Sequence, residues 1–79
     1  MKLFFIWVSI PLEVTVEFPQ KNKIEKVSVN KNETIETVIK KLGYHIDEVV
    51  VLSNQIPIPE TSEITEDIKV SLLEVTSKG

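Results

Sequence analysis

Several things are missing from this chain, and each absence closes off a class of chemistry. There is no cysteine, so disulfides, thiolate metal sites and cysteine nucleophiles are ruled out. That absence fits a reducing compartment, and a cytoplasmic location is the expectation. All nine basic residues are lysine; without arginine the chain lacks the bidentate fork preferred for phosphate and carboxylate recognition. Two glycines in total exclude a glycine-rich phosphate loop. The single His45 cannot form a metal site by itself, and no ligand spacing of acidic residues helps it; a surface loop histidine is the simpler reading. A net charge of −3 and a low isoelectric point argue against nucleic acid, which asks for a basic footprint. No combination of base, nucleophile and oxyanion donors stands out. The chain therefore does not read as an enzyme, and nothing in it calls for a cofactor or a metal.

Seventy-nine residues allow one domain with a small core. Residues 1–11 stand apart. Leu3-Phe4-Phe5-Ile6-Trp7-Val8-Ser9-Ile10 is almost continuously apolar and holds three of the five aromatics. Lys2 ahead of it imitates a signal peptide, but no small-x-small cleavage site follows, and the run is far short of the ~20 residues of a membrane span. No membrane role is expected. Three readings stay open: an extra strand, an arm that self-associates with a partner copy through residues 3–10, or an upstream start preceding the domain. An exposed run of this kind is an aggregation hazard, so some cover for it is expected.

From Leu12 the pattern becomes regular. Leu12, Val14, Val16 and Phe18 alternate with Glu13, Thr15 and Glu17, which describes a half-buried strand. Pro19 to Lys23 is a turn. Ile24 to Val29 is a second strand with Val27 and Val29 inward; Ile24 is out of phase and predicts a bulge or a late start. After a loop, Ile35, Val38, Ile39 and Leu42 draw one apolar stripe of a helix. Thr34 is positioned to cap it. Glu36 lies in its first turn and Lys40 and Lys41 in its last, as the dipole prefers. Gly43 is placed for the left-handed C′ position. Val49 to Leu52 is a third strand, Asn54-Gln55 a tight turn, and Ile56-Pro57-Ile58-Pro59 a short edge strand. The acidic loop Glu60 to Asp67 reads as solvated, or as a means of steering a basic partner, with Ile64 its anchor into the core. Ile68, Val70 and Leu72 alternate with Lys69 and Ser71. Leu73 and Val75 then fall on the opposite face.

Strand, strand, helix, strand, short strand, strand, with a right-handed crossover, predicts an α+β domain: a mixed sheet of four to five strands with one main helix packed on one face. The domain spans residues 12–75, and a flexible C-terminal tail follows at 76–79. The order resembles the β-grasp, or ubiquitin-like, fold. The resemblance extends to motifs. Val14-Thr15-Val16-Glu17-Phe18-Pro19 looks like the opening strand of the small sulfur-carrier and modifier proteins, and Val29 to Gly43 like their helix with its lead-in. Val49 to Ile58 looks like their valine-rich strand and Asn turn, and Glu66 to Leu73 like their closing strand. That family includes the molybdopterin synthase small subunit, the thiamine sulfur carrier, the ubiquitin-related modifier and the archaeal ubiquitin-like small modifiers.

The resemblance implies a carrier acted on by others. A ubiquitin-activating-like enzyme would adenylate the carboxylate of Gly79 with ATP. The product would become a thiocarboxylate for a sulfur-acceptor enzyme, or an isopeptide bond to lysines of a target protein. Thr76, Ser77 and Lys78 would thread the activating enzyme. Leu73 and Val75, with Val49 or Val51, would form the partner-binding platform; packing under the amino-terminal arm is the competing role for Leu73 and Val75. Lys78 departs from the family's paired glycines, because a bulky cation stands beside Gly79. The lysines, Lys40, Lys41 and Lys78 included, are solvated surface by default and self-modification sites as the alternative. A β-grasp binding module that is never conjugated is the competing function.

Overall fold

The protein is described here by a computed structural model covering residues 11–75. Strand β1 (Leu12–Phe18) pairs antiparallel with β2 (Lys23–Val29), and helix α1 (Ile35–Lys41) follows. A single 3-10 turn (Ile46–Glu48) leads into β3 (Val49–Ser53), β4 (Ile56–Ile58) and β5 (Ile68–Glu74). The sheet order is β2-β1-β5-β3-β4. The closing strand β5 inserts at the centre, parallel to β1 and antiparallel to β3. This is the expected mixed sheet with one helix.

Alternation decides the two faces. Val14, Val16, Phe18, Val27, Val29, Val49, Val51, Val70 and Leu72 all point to the helix side and are buried, where they meet Ile35, Val38 and Ile39. Ile64 joins them at 1% exposure from a loop, as its isolated position in a polar stretch predicts. Ile24 needs no bulge. Pairing of β1 and β2 is continuous from Leu12↔Val29 to Phe18↔Lys23, and Ile24 simply faces outward opposite Glu17.

The two ends of α1 are closed differently. At the C-terminus, Gly43 takes φ +87°. Its N–H donates to Lys40 O at 3.0 Å and that of Tyr44 to Ile39 O at 3.1 Å. This pair of bonds is a Schellman motif, satisfying carbonyls the helix leaves free. At the N-terminus Thr34 is in position but its side chain makes no capping bond. The free amides go to the later acidic loop: Ile35 N–H donates to Ser62 O (3.0 Å) and Glu36 N–H to Glu60 O (2.9 Å). Asn32 N–H to Ile64 O and Ile64 N–H to Glu33 O complete the seam. The loop is thus a structural part of the helix start, and its main-chain carbonyls do the work expected of Thr34.

Asn54 and Gln55 both have positive φ, 54° and 69°, the requirement of a type I′ hairpin turn. In β4, Pro57 is confined to the edge of the sheet, where a missing donor costs little.

Candidate functional site

Strand β5 is the last element before residues 76–79, and the residues around its end are the candidate site. The parallel ladder between β1 and β5 runs from Val14↔Ile68 to Glu17↔Ser71. Continued upward, that register would set Pro19 level with Leu73 and Gln20 level with Glu74. Proline has no N–H to give, and the chain turns away. The edge of Glu74 facing β1 would be left without main-chain partners, a costly state if water were also excluded. The Gln20 side chain takes the place of the missing strand. Glu74 N–H donates to Gln20 Oε1 at 2.8 Å, and Gln20 Nε2 donates to Glu74 O at 3.3 Å.

The Glu74 side chain is held as well. Tyr44 Oη donates to Glu74 Oε2 at 2.8 Å, and Lys21 Nζ lies 2.8 Å from the same oxygen. Lys21 Nζ also donates to Tyr44 Oη at 3.1 Å. The Tyr44 ring is fixed against Phe18, centroids 6.1 Å apart, and its backbone is part of the Schellman turn. These hydrogen bonds set the titration of the pair. The bond to Glu74, then that to Tyr44, holds the Lys21 ammonium above the usual lysine range. The bond from Lys21, then that from Tyr44, holds the Glu74 carboxyl below the usual carboxylate range. One residue further, Val75 N–H donates to Glu48 O at 2.8 Å. Thr76, Ser77, Lys78 and Gly79 lie outside the described residues, as do residues 1–10.

The four residues expected to form a platform do not share one face of the sheet. Leu73 is half-buried there and Val75 is 47% exposed. Val49 and Val51 do not belong to it: at 8% and 5% exposure they face the helix. The reason is parity. Leu73 pairs with Val50, whereas Val51 pairs with the core residue Leu72. The outward members of β3 are therefore Val50 and Leu52, both half-buried, with Pro57 opposite Leu52 on the edge strand. A run of four apolar residues hides its own parity; the register against β5 reveals it. The polar margin includes the Lys69–Glu17 pair at 3.0 Å.

His45 is exposed. Lys40 pairs with Glu36 at 3.2 Å, and Lys41 Nζ donates to Ser28 O at 2.7 Å. Among the described residues no three His, Cys, Asp or Glu side chains come together at metal-binding spacing. No helix among them is long and apolar enough to cross a membrane.

The sequence matches the family model described as small archaeal modifier protein 2, over residues 12–76. The chain belongs to that family. Solved structures agree on the fold. A ubiquitin from Caldiarchaeum subterraneum is 14% identical with a TM-score of 0.70, over 87% of this chain and 99% of that one. The ubiquitin-like domain of Plasmodium falciparum Dsk2 is 8% identical with a TM-score of 0.67, over 82% and 99%. A ubiquitin-like domain from Arabidopsis thaliana is 21% identical with a TM-score of 0.65, over 85% and 80%. At these identities the likeness shows the fold, which is the β-grasp of ubiquitin. No curated protein matches the sequence. Membership of the small archaeal modifier family supports a modifier role for this chain, and that of a protein without an active site of its own.

Proposed function

We propose that this protein is a small modifier whose Gly79 carboxylate is the reacting group. A carboxylate is a poor acyl donor until it carries a leaving group. An adenylating enzyme would supply one: the Gly79 carboxylate attacks the α-phosphorus of ATP, pyrophosphate departs, and an acyl adenylate remains. A sulfur nucleophile or a lysine amine then attacks the acyl carbon and AMP leaves, giving a thiocarboxylate or an isopeptide bond. Thr76, Ser77 and Lys78 thread the enzyme, while Leu73, Val75, Val50 and Leu52 form the apolar surface on which it docks, since a cluster of this kind on an outer face marks an interface. The protein works in the cytoplasm on this reading.

The observation that carries the proposal is the family match through residue 76, with a glycine three residues beyond it at position 79. Lys78 favours a second reading, a β-grasp binding module that is never conjugated, because a bulky cation obstructs the close backbone approach that glycine permits. Intact mass after incubation with a ubiquitin-activating-like enzyme, ATP and a sulfide donor separates the two. The expected result is a thiocarboxylate mass gain that disappears when Gly79 is deleted. An unmodified mass at every enzyme concentration would favour the binding module.

A further inference from the structure

The grip on Glu74 is more than the fold requires. The sheet is already closed by β3 on one side, and the core lies behind Phe18, Val70 and Leu72. Yet three side chains from two separate segments converge on the last residue of β5. Gln20 bonds both main-chain groups of Glu74, and Lys21 and Tyr44 both reach its carboxylate. At the other end of the same ladder, among the described residues, one side-chain bond is made, Glu13 N–H to Asp67 Oδ1 at 2.9 Å. The residue so gripped is the last before the chain leaves the sheet.

We propose that Gln20, Lys21 and Tyr44 are positioning residues, holding Glu74 so that the end of β5, the point from which the chain continues to Gly79, is fixed. The inference rests on the proposed function for its purpose, presentation of the Gly79 carboxylate to an adenylating enzyme, but the grip itself is independent of it. The physical gain is preorganisation. A tail whose root is already ordered loses less conformational freedom on entering a channel. The division of labour is specific. Gln20 aligns the main chain, the Tyr44 hydroxyl aligns the side chain, and Lys21 contributes a charge that salt screens.

The test uses the full chain with Gln20→Ala, Tyr44→Phe, Lys21→Ala and Lys21→Arg, and Lys26→Ala as a surface control. Amide hydrogen exchange reads the grip directly. Gln20→Ala should reduce protection at Glu74 by about tenfold or more and leave Val14 and Val70 unchanged, the signature of a local opening. Adenylation, followed by pyrophosphate exchange, should show KM raised about three- to tenfold with kcat little altered, as expected when ground-state alignment is lost. Lys21→Arg should behave as wild type, and Lys21→Ala should differ from it only at low salt. Unchanged exchange at Glu74 and unchanged KM in Gln20→Ala would overturn the inference. A wild-type chain that is not adenylated would overturn the proposed function instead, and exchange would still decide whether the grip exists.

Discussion

The two faces of the sheet are made from the same strands and are packed very differently. On the helix side, side chains from every layer are buried to a few per cent exposure, and even the loop residue Ile64 is at 1%. On the outer side, Val50, Leu52 and Leu73 are only half-buried, and their neighbours are an ion pair and a serine. One face has finished its packing; the other leaves apolar area open to water. Residue parity within one strand decides burial, and on the proposed function it would separate stability from recognition. Leu72 and Leu73 are adjacent and chemically identical, yet Leu72 is buried in the core and Leu73 is half-exposed on the outer face.

The sharpest way to break this contrast is to truncate one residue on each face. Ile64→Ala should cost about 2–4 kcal/mol, the price of a cavity in a well-packed core, with added loss because Ile64 also anchors the loop that caps α1. Urea unfolding measures it. Leu73→Ser should cost under about 1 kcal/mol, since its side chain is only half out of water. The same change should reduce adenylation about tenfold through KM. If Leu73→Ser proves as destabilising as Ile64→Ala, the outer face is part of the core in solution and the separation of tasks fails.

A smaller effect tests the hairpin that places β4 beside Leu52. Gln55 has φ +69°, a conformation that an L residue with a Cβ resists and glycine accepts. Gln55→Gly should stabilise the protein by about 0.5–1 kcal/mol, the relief of strain exceeding the added entropy of the unfolded chain. A fall in the urea midpoint would show that the Gln55 side chain contributes a contact worth more than the strain.

The gentlest perturbation is pH. The Glu74 carboxyl is held below its ordinary 4.5, so its contribution is present above that value and is lost as pH falls through the lower folded value. Lys21 is raised above 10.5, so its contribution is present below that value and is lost as pH rises through the higher folded one. Between these limits the pair persists. Carboxyl chemical shifts should show Glu74 titrating below 4.5, and Lys21→Ala should move the midpoint upward. A Glu74 midpoint unaffected by Lys21→Ala would mean that water has replaced the ion pair.

The features legible in the sequence are those whose cause is local. Val14, Val16 and Phe18 announce their face by alternation, Gly43 announces the helix stop, and Asn54-Gln55 the turn. The features that were not legible depend on residues far apart in the chain. Nothing near Thr34 says that carbonyls of Glu60 and Ser62 will take its capping task. Nothing in Val49-Val50-Val51-Leu52 says which pair faces out until Leu73 is laid against Val50. The grip on Glu74 spans the widest gap, with Gln20 and Glu74 being 54 residues apart, and Gln20 in its turn carries no mark of its partner.

The edges of the sheet have a further consequence. Among the described residues β2 and β4 are the outermost strands, and each offers a row of main-chain groups to which another copy could add. β4 is three residues long and contains Pro57, with Pro59 just beyond it. β2 is longer but carries Lys23, Glu25 and Lys26 along its exposed length. Short length, proline and charge are the means by which natural sheets discourage edge-to-edge growth. Both described edges of the sheet therefore resist the addition of a further strand.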